Sequence, residues 1–377
     1  MDHIPERTGR SRLVKLTALV ILVLLTIALV EVMGQLYYRW SRGRWLWREE
    51  EFKTNVYVPY TIPVSDRREF ALRPGFKDEI TTIDEHGFRA TVPEPRAGER
   101  VVVNLGDSVP FGAGAANADT YSSRLAKLFR ERNILLGVIN AGVSSYNTRQ
   151  SFDRLRIDVG RYYKPSEIAA VTFTAANDIS QVFYFAASYT PDTTWARARN
   201  LVPLRPAWQQ LATGHYVSTV FDTYRHRPIV SAAATTSTNR SPEEVMLEGV
   251  RSDMREQLAY WNQHHVLIVL TPFNPFYYQL AHQEKNADLR VLREVYKNNL
   301  KEMPEWDGLI RRYNDVLRAV AAEFPNARYL ETRAIFDEED RNLIYGDYAH
   351  FVPNGHQRMA EVLYDYLKEQ HVIDQSR

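Results

Sequence analysis

The residues best equipped for chemistry stand in two places far apart in the chain. Gly106-Asp107-Ser108-Val109-Pro110-Phe111-Gly112 follows a short β-branched run, Arg100 to Leu105, and precedes a helical pattern that begins at Thr120. A serine on a tight turn at a strand end exposes its hydroxyl at the sheet edge, where it can attack a carbonyl if a base takes its proton. The same Gly-Asp-Ser pattern also serves as a helix cap or an ordinary loop. Near the other end, Asp347-Tyr348-Ala349-His350 places a carboxylate three residues before an imidazole. At that spacing the carboxylate can reach back to Nδ1–H, fix the tautomer and leave Nε2 as the base. His356, at the start of a predicted helix, reads as a local structural hydrogen-bonder. No His-Glu-x-x-His pattern occurs, so a zinc reading of these histidines is poor, and neither metal nor cofactor is expected.

A hydroxyl and an imidazole are not enough for acyl transfer, because the oxyanion of the tetrahedral intermediate needs donors already in place. Two further segments, each at a predicted strand end, can supply them. Asn140-Ala141-Gly142-Val143-Ser144 offers the Gly142 backbone N–H with no side chain in the way, and Thr174-Ala175-Ala176-Asn177-Asp178 offers the Asn177 amide. The Ser108 backbone N–H would complete a three-donor hole. Taken singly, Asn177 is more often a turn residue. The combination is more telling, since four strand-end segments each bring one complementary function.

In this order the four blocks resemble those of the SGNH (GDSL) hydrolase superfamily. The resemblance covers roughly Thr82 to Leu367 and includes Asp84-Glu85-His86-Gly87-Phe88-Arg89, which is similar to a phrase of membrane-tethered bacterial members. It implies Ser108 as nucleophile, His350 as base, Asp347 as its orienting partner, and Ser108, Gly142 and Asn177 as the oxyanion hole. The fold it implies is a flavodoxin-like three-layer α/β/α domain. One position departs from the family pattern: the third block usually begins with Gly, and here Ala175 stands there, with a methyl that would narrow the oxyanion side of the cleft.

These residues must be held by strands and helices, and the chain supplies both. Runs like Arg100 to Leu105 recur at Gly137 to Ala141, Ile168 to Thr174, Val266 to Thr271 and Ala327 to Thr332. Helical patterns such as Thr120 to Arg132 and Glu305 to Phe324 separate them, which predicts about five parallel strands covered on both faces. A long insertion, 179–240, interrupts the alternation; its first half holds Phe183, Tyr184, Phe185, Tyr189, Trp195 and Trp208. Such a connection is more often functional or mobile than compact. A capping box, Ser241-Pro242-Glu243-Glu244, then starts a new helix. A further short strand is possible at Asn55 to Ile62, within a polar neck and lead-in segment, 36–98, that precedes a catalytic domain at 99–371.

Residues 1–35 read as a short tip and a transmembrane anchor. Leu13 to Gly34 contains only Lys15 and Glu31 as charged residues, both near its ends, and Tyr37, Tyr38, Trp40, Trp45 and Trp47 follow as rings do at a membrane interface. A cleaved signal peptide would need small residues before its cleavage site, and Val30-Glu31-Val32-Met33-Gly34 is poor in them. Arginines and lysines flank both ends, so charge asymmetry sets no orientation. The family resemblance leans toward a single-pass protein with its catalytic domain on the extracytoplasmic side.

The whole chain of 377 residues has 45% hydrophobic and 25% charged side chains, a globular composition that excludes wholesale disorder. Lys+Arg 47 against Asp+Glu 46 leaves a net charge of +1, so no overall field draws it to nucleic acid. Without cysteine there is no disulfide framework and no thiolate nucleophile. The expectation is a membrane-anchored serine esterase that removes an acyl group, acetyl by preference, from a carbohydrate or similar envelope substrate. One alternative passes the same acyl group to a sugar hydroxyl, as an O-acyltransferase of an exported polysaccharide. Another is a non-catalytic scaffold that binds glycan or assembly partners.

Overall fold

The computed structural model of the chain describes residues 8–42, 45, 60–175, 177–185, 240–273, 303–332 and 349–374. Two units divide it: Met1–Pro59 with Arg199–Ser231, and Tyr60–Ala198 with Ala232–Arg377. The first unit contains α1 (Thr8–Arg42). Its apolar stretch, Val14–Tyr37, has 24 residues. At 1.5 Å per residue that is about 36 Å, longer than a hydrocarbon core of about 30 Å. Leu16, Leu22, Leu24, Leu25 and Leu29 are all more than half exposed along it. A helix of this length and composition fits a membrane span or a signal sequence.

In the second unit, β1 (Thr61–Pro63) and β2 (Phe70–Leu72) pair as a short antiparallel ribbon. The sheet that follows is built from β3 (Arg100–Gly106), β4 (Leu136–Gly142), β5 (Ile168–Thr174), β6 (Leu267–Leu270) and β7 (Ala327–Tyr329). All neighbours are parallel and the order is β4-β3-β5-β6-β7. This is the flavodoxin-like order, in which the connections reverse direction between β3 and β5; a crevice opens beyond the strand ends at that point. The observed strands lie within the runs read from sequence or extend them by one residue at one end or both, because fully buried parallel strands must be apolar on both faces. Val101, Val102, Val103 and Leu105 of β3 are completely buried. Asn104 interrupts them without being orphaned: its Nδ2 donates to Ser122 Oγ (2.9 Å) and its Oδ1 accepts from Thr172 Oγ1 (2.6 Å), pinning a helix and β5 to β3.

Seven helices concern the site: α2 (Ser108–Phe111), α3 (Tyr121–Glu131), α4 (Thr148–Arg154), α5 (Asn177–Phe185), α6 (Pro242–Gln263), α7 (Met303–Ala322) and α8 (Pro353–Glu369). The capping box at Ser241 and Glu244 starts α6 as its sequence dictates. α3 packs on α8, whereas α6 packs on α4, α5 and α7. With right-handed crossovers, the reversal at β3 sends these two groups to opposite faces of the sheet, giving three layers. Of the long insertion, the start is helical within α5, and the rest up to 239 lies outside the described residues, as does most of Asn55 to Ile62.

The segment before β3 covers the exposed edge of β4. Arg89 N–H donates to the Asn140 carbonyl (3.2 Å), and Thr91 Oγ1 donates to the Val138 carbonyl (3.0 Å). An edge strand left bare would template unwanted pairing. Farther along, two buried arginines share one carboxylate. Arg68 lies 2.5 Å and Arg154 lies 2.9 Å from Asp158, and Arg154 also donates to the Gly87 carbonyl (2.6 Å), which ties the lead-in segment to α4.

Candidate active site

β3 ends at Gly106 with φ +137, in the region that favours glycine; a Cβ there would overlap the Thr174 carbonyl of the neighbouring strand. Asp107 then caps α2, its Oδ1 accepting from Val109 N–H (2.9 Å), and this cap sets Ser108 at the first helical position. The Ser108 backbone N–H thus lies among the first helical donors, which have no intrahelical acceptor. Ser108 is half-buried, just beyond the C-terminal end of β3.

His350 arrives from the far end of the chain, three residues before Pro353 starts α8. Its Nε2 lies 2.8 Å from Ser108 Oγ. The loop that carries it is docked by His356, whose Nδ1 accepts from Tyr121 N–H (3.2 Å) at the start of α3. Burial, with smaller contributions from the nearby Arg89, His350 and Arg124, pulls His356 down to about 3, so it is neutral at physiological pH. With Nδ1 accepting, the proton sits on Nε2, which has no acceptor among the described residues. Asp347 lies outside the described residues.

The other two proposed donors reach the same strand ends, though both already have acceptors. Gly142 ends β4 against the backbone of α2, so close that a Cβ would overlap Phe111 N. Its N–H donates to Asn140 Oδ1 (3.1 Å), and Asn140 Nδ2 donates to the Phe111 carbonyl (3.3 Å). Asn177 is the first residue of α5; its Nδ2 donates to Asp107 Oδ2 (3.3 Å) and to the Tyr146 carbonyl (3.2 Å). Ala175 is 1% exposed and packs in the hydrophobic core, so its methyl contributes to packing.

Three neighbours of the site carried no role in the sequence reading. Asn140 holds Gly142 as just described. Tyr60 stacks on Phe111 with ring centroids 4.9 Å apart, and its hydroxyl lies 3.0 Å from Ser144 Oγ. Asp178, next to Asn177, accepts from Thr148 N–H (2.9 Å) and Thr148 Oγ1 (2.7 Å), locking the start of α5 to the start of α4. Burial pushes its carboxyl up to about 6, against the hydrogen bonds from Thr148 that favour the anion. Only Asn140 and Asp178 had a local signal, each standing beside a proposed donor.

Residues 105–358 match the GDSL-like Lipase/Acylhydrolase family. No curated protein sequence matches the chain. Among solved structures, the chain is similar to the acetyl xylan esterase AlAXEase, at 12% identity over 71% of this chain and 99% of that one, with a TM-score of 0.41. It is similar also to the psychrotrophic esterase EstA from Pseudoalteromonas sp. (10% identity, 72% and 98% covered, TM-score 0.40). A third is a catalytic mutant of the acetylxylan esterase Axe2 from Geobacillus stearothermophilus (14% identity, 72% and 94% covered, TM-score 0.40). The family match takes in more than half of the chain, from the end of β3 into α8, and the chain therefore belongs to the GDSL-like lipase/acylhydrolase family and is a serine ester hydrolase.

Proposed function

We propose that Ser108 is the nucleophile and His350 its base, and the observation that carries this is the 2.8 Å contact between Ser108 Oγ and His350 Nε2. The hydroxyl attacks the acyl carbonyl as its proton passes to Nε2. The tetrahedral intermediate collapses, the alcohol leaves with that proton, and the acyl group stays on Ser108. Water then repeats the sequence, giving its proton to His350 and releasing the acid. Asp347 orients His350 and stabilises the imidazolium without taking a proton.

The oxyanion is received by the Ser108 N–H, Gly142 N–H and Asn177 Nδ2. Gly142 exchanges Asn140 Oδ1 for the anion, and Asn177 gives up the neutral Tyr146 carbonyl while keeping Asp107. Charge-assisted hydrogen bonds are stronger than neutral ones, so the exchange favours the charged intermediate over the ground state. Asp107 steadies both the serine turn and Asn177.

The substrate in this reading is an acylated glycan or similar envelope ester, acetyl by preference. α1 tethers the catalytic unit to the membrane as a single pass, with the catalytic unit on the extracytoplasmic side; the 24-residue apolar stretch supports the tether. Hydrolysis of p-nitrophenyl acetate by the purified full-length protein tests the chemistry. Ser108→Ala should abolish turnover above the oxyanion-hole background while the circular dichroism spectrum stays unchanged. Equal rates for wild type and variant would remove Ser108 from the reaction.

A further inference from the structure

Arg89 lies before the stretch that matches the family, yet its guanidinium ends on the serine turn. The residue is 1% exposed. All five of its N–H donors are used. Nε donates to Asn117 Oδ1 (3.2 Å), and Nη1 to the carbonyls of Phe111 (2.8 Å) and Gly112 (2.7 Å). Nη2 donates to the carbonyls of Ala115 and Ile80 (3.3 Å). Among the described residues no carboxylate lies within ion-pair distance of it, although buried cations are ordinarily paired with one. Burial pulls its pKa down to about 10, which still leaves it charged at neutral pH.

The placement of those carbonyls is what connects Arg89 to the chemistry. Phe111 and Gly112 are the last residue and the C-cap of α2, the single turn whose first residue is Ser108. Helix-end carbonyls have no intrahelical donor, and here one rigid fork supplies it. The guanidinium also lies 4.6 Å over the Phe111 ring. The Phe111 carbonyl is shared with Asn140 Nδ2, and Asn140 Oδ1 takes the Gly142 N–H. One side chain therefore fixes the far end of the helix that presents Ser108 and, through Asn140, the strand end that carries Gly142.

We propose that Arg89 is a positioning residue for ester hydrolysis, a cation clamped by carbonyls that sets the serine turn in register with His350 and the oxyanion donors. The proposal rests on the reading of Ser108 as nucleophile. Lysine would keep the charge, but its three donors on one nitrogen cannot span four carbonyls and an amide oxygen. A displacement of about 1 Å at the reacting atoms can cost about 10²-fold in rate, which sets the scale of the effect.

The test uses full-length wild type, Arg89→Lys, Arg89→Met and Ser108→Ala in non-ionic detergent. Competent sites are counted by end-point labelling with a fluorophosphonate, and kcat and KM for p-nitrophenyl acetate are expressed per labelled site. Arg89→Met should lose about 30-fold or more in kcat with KM within about threefold, and Arg89→Lys should fall between it and wild type. A purely structural arginine would lower the labelled fraction or the unfolding midpoint and leave kcat per site unchanged. Both variants within threefold of wild-type kcat, or a loss confined to KM, would overturn the proposal. If Arg89→Met does not fold, Arg89→Lys decides alone: a fall in kcat of threefold or more upholds the proposal, and a smaller one overturns it. Wild-type hydrolysis by Ser108→Ala would instead overturn the underlying reading, whatever the arginine variants do.

Discussion

Acidification should destabilise this protein through His356, and the size of the effect follows from its burial. The imidazole titrates at about 3 in the folded protein, whereas its ordinary value is 6.5. A base with a depressed folded pKa binds more protons when unfolded at every pH between the two values. Stability therefore rises with pH through that window and is level above 6.5. Each pH unit inside the window changes stability by about 1.4 kcal/mol, so lowering the pH from 7.5 to 5 costs about 2 kcal/mol from this one residue. Asp178 works in the opposite direction. Its folded pKa is raised to about 6 from an ordinary 3.8, so its contribution is fully present below 3.8 and lost as pH rises through 6. The two trends oppose each other, and the overall pH profile of the wild type would hide both. His356→Asn isolates the histidine, because the new Oδ1 can still accept from Tyr121 N–H while nothing at that position titrates. At pH 7.5 the variant should be less stable by about 1 to 2 kcal/mol, from lost ring packing against Phe351 and Tyr121. At pH 5 that deficit should shrink by about 2 kcal/mol, to near zero or a slight gain. Urea unfolding of both full-length proteins in non-ionic detergent, followed by near-ultraviolet circular dichroism at the two pH values, reads the difference. A deficit that stays the same at both would mean that His356 is not held neutral by burial.

Two further outcomes follow from the proposed site and anchor. Asp347→Asn should lower kcat by about 10⁴ with little change in KM, as the orienting carboxylate does not touch the acyl group; near-normal activity would send the search for the orienting residue elsewhere. Deleting residues 1–35 should move the protein from the membrane pellet to the soluble fraction; a full-length product that is already soluble and begins after residue 34 would identify α1 as a cleaved signal.

Much of the architecture was legible because buried parallel strands carry their own signature. Val101 to Val103 and Ile168 to Thr174 are continuous runs of β-branched, aromatic or small residues, and each delivers the chain to one block of the site. The helix start at Ser241 was legible for a different reason, since capping is a local event written in adjacent residues. His356 reads from sequence as a local structural hydrogen-bonder; it is structural, but not local, since it accepts from the N–H of Tyr121, 235 residues away, which had no signature. The donors show the limit most clearly. A sequence can mark Gly142 and Asn177 as residues able to donate, but which acceptors they already hold is decided by Asn140, Asp107 and Tyr146 in three dimensions. Arg89 was visible as part of a family-like phrase without a role, because carbonyls, unlike carboxylates, leave no trace in the residue types that supply them. Tyr60 is a similar case: its stacking on Phe111 joins the neck to the serine turn across 51 residues of chain.

The central claim is that Ser108, activated by His350, is the atom that takes the acyl group. Intact-mass analysis and peptide mapping of the full-length enzyme after reaction with a fluorophosphonate test it most directly. The account predicts one adduct per chain, on Ser108, formed at a rate that falls by orders of magnitude in His350→Ala and absent in Ser108→Ala. An adduct on another residue, or labelling of Ser108 that proceeds equally fast without the His350 imidazole, would contradict it.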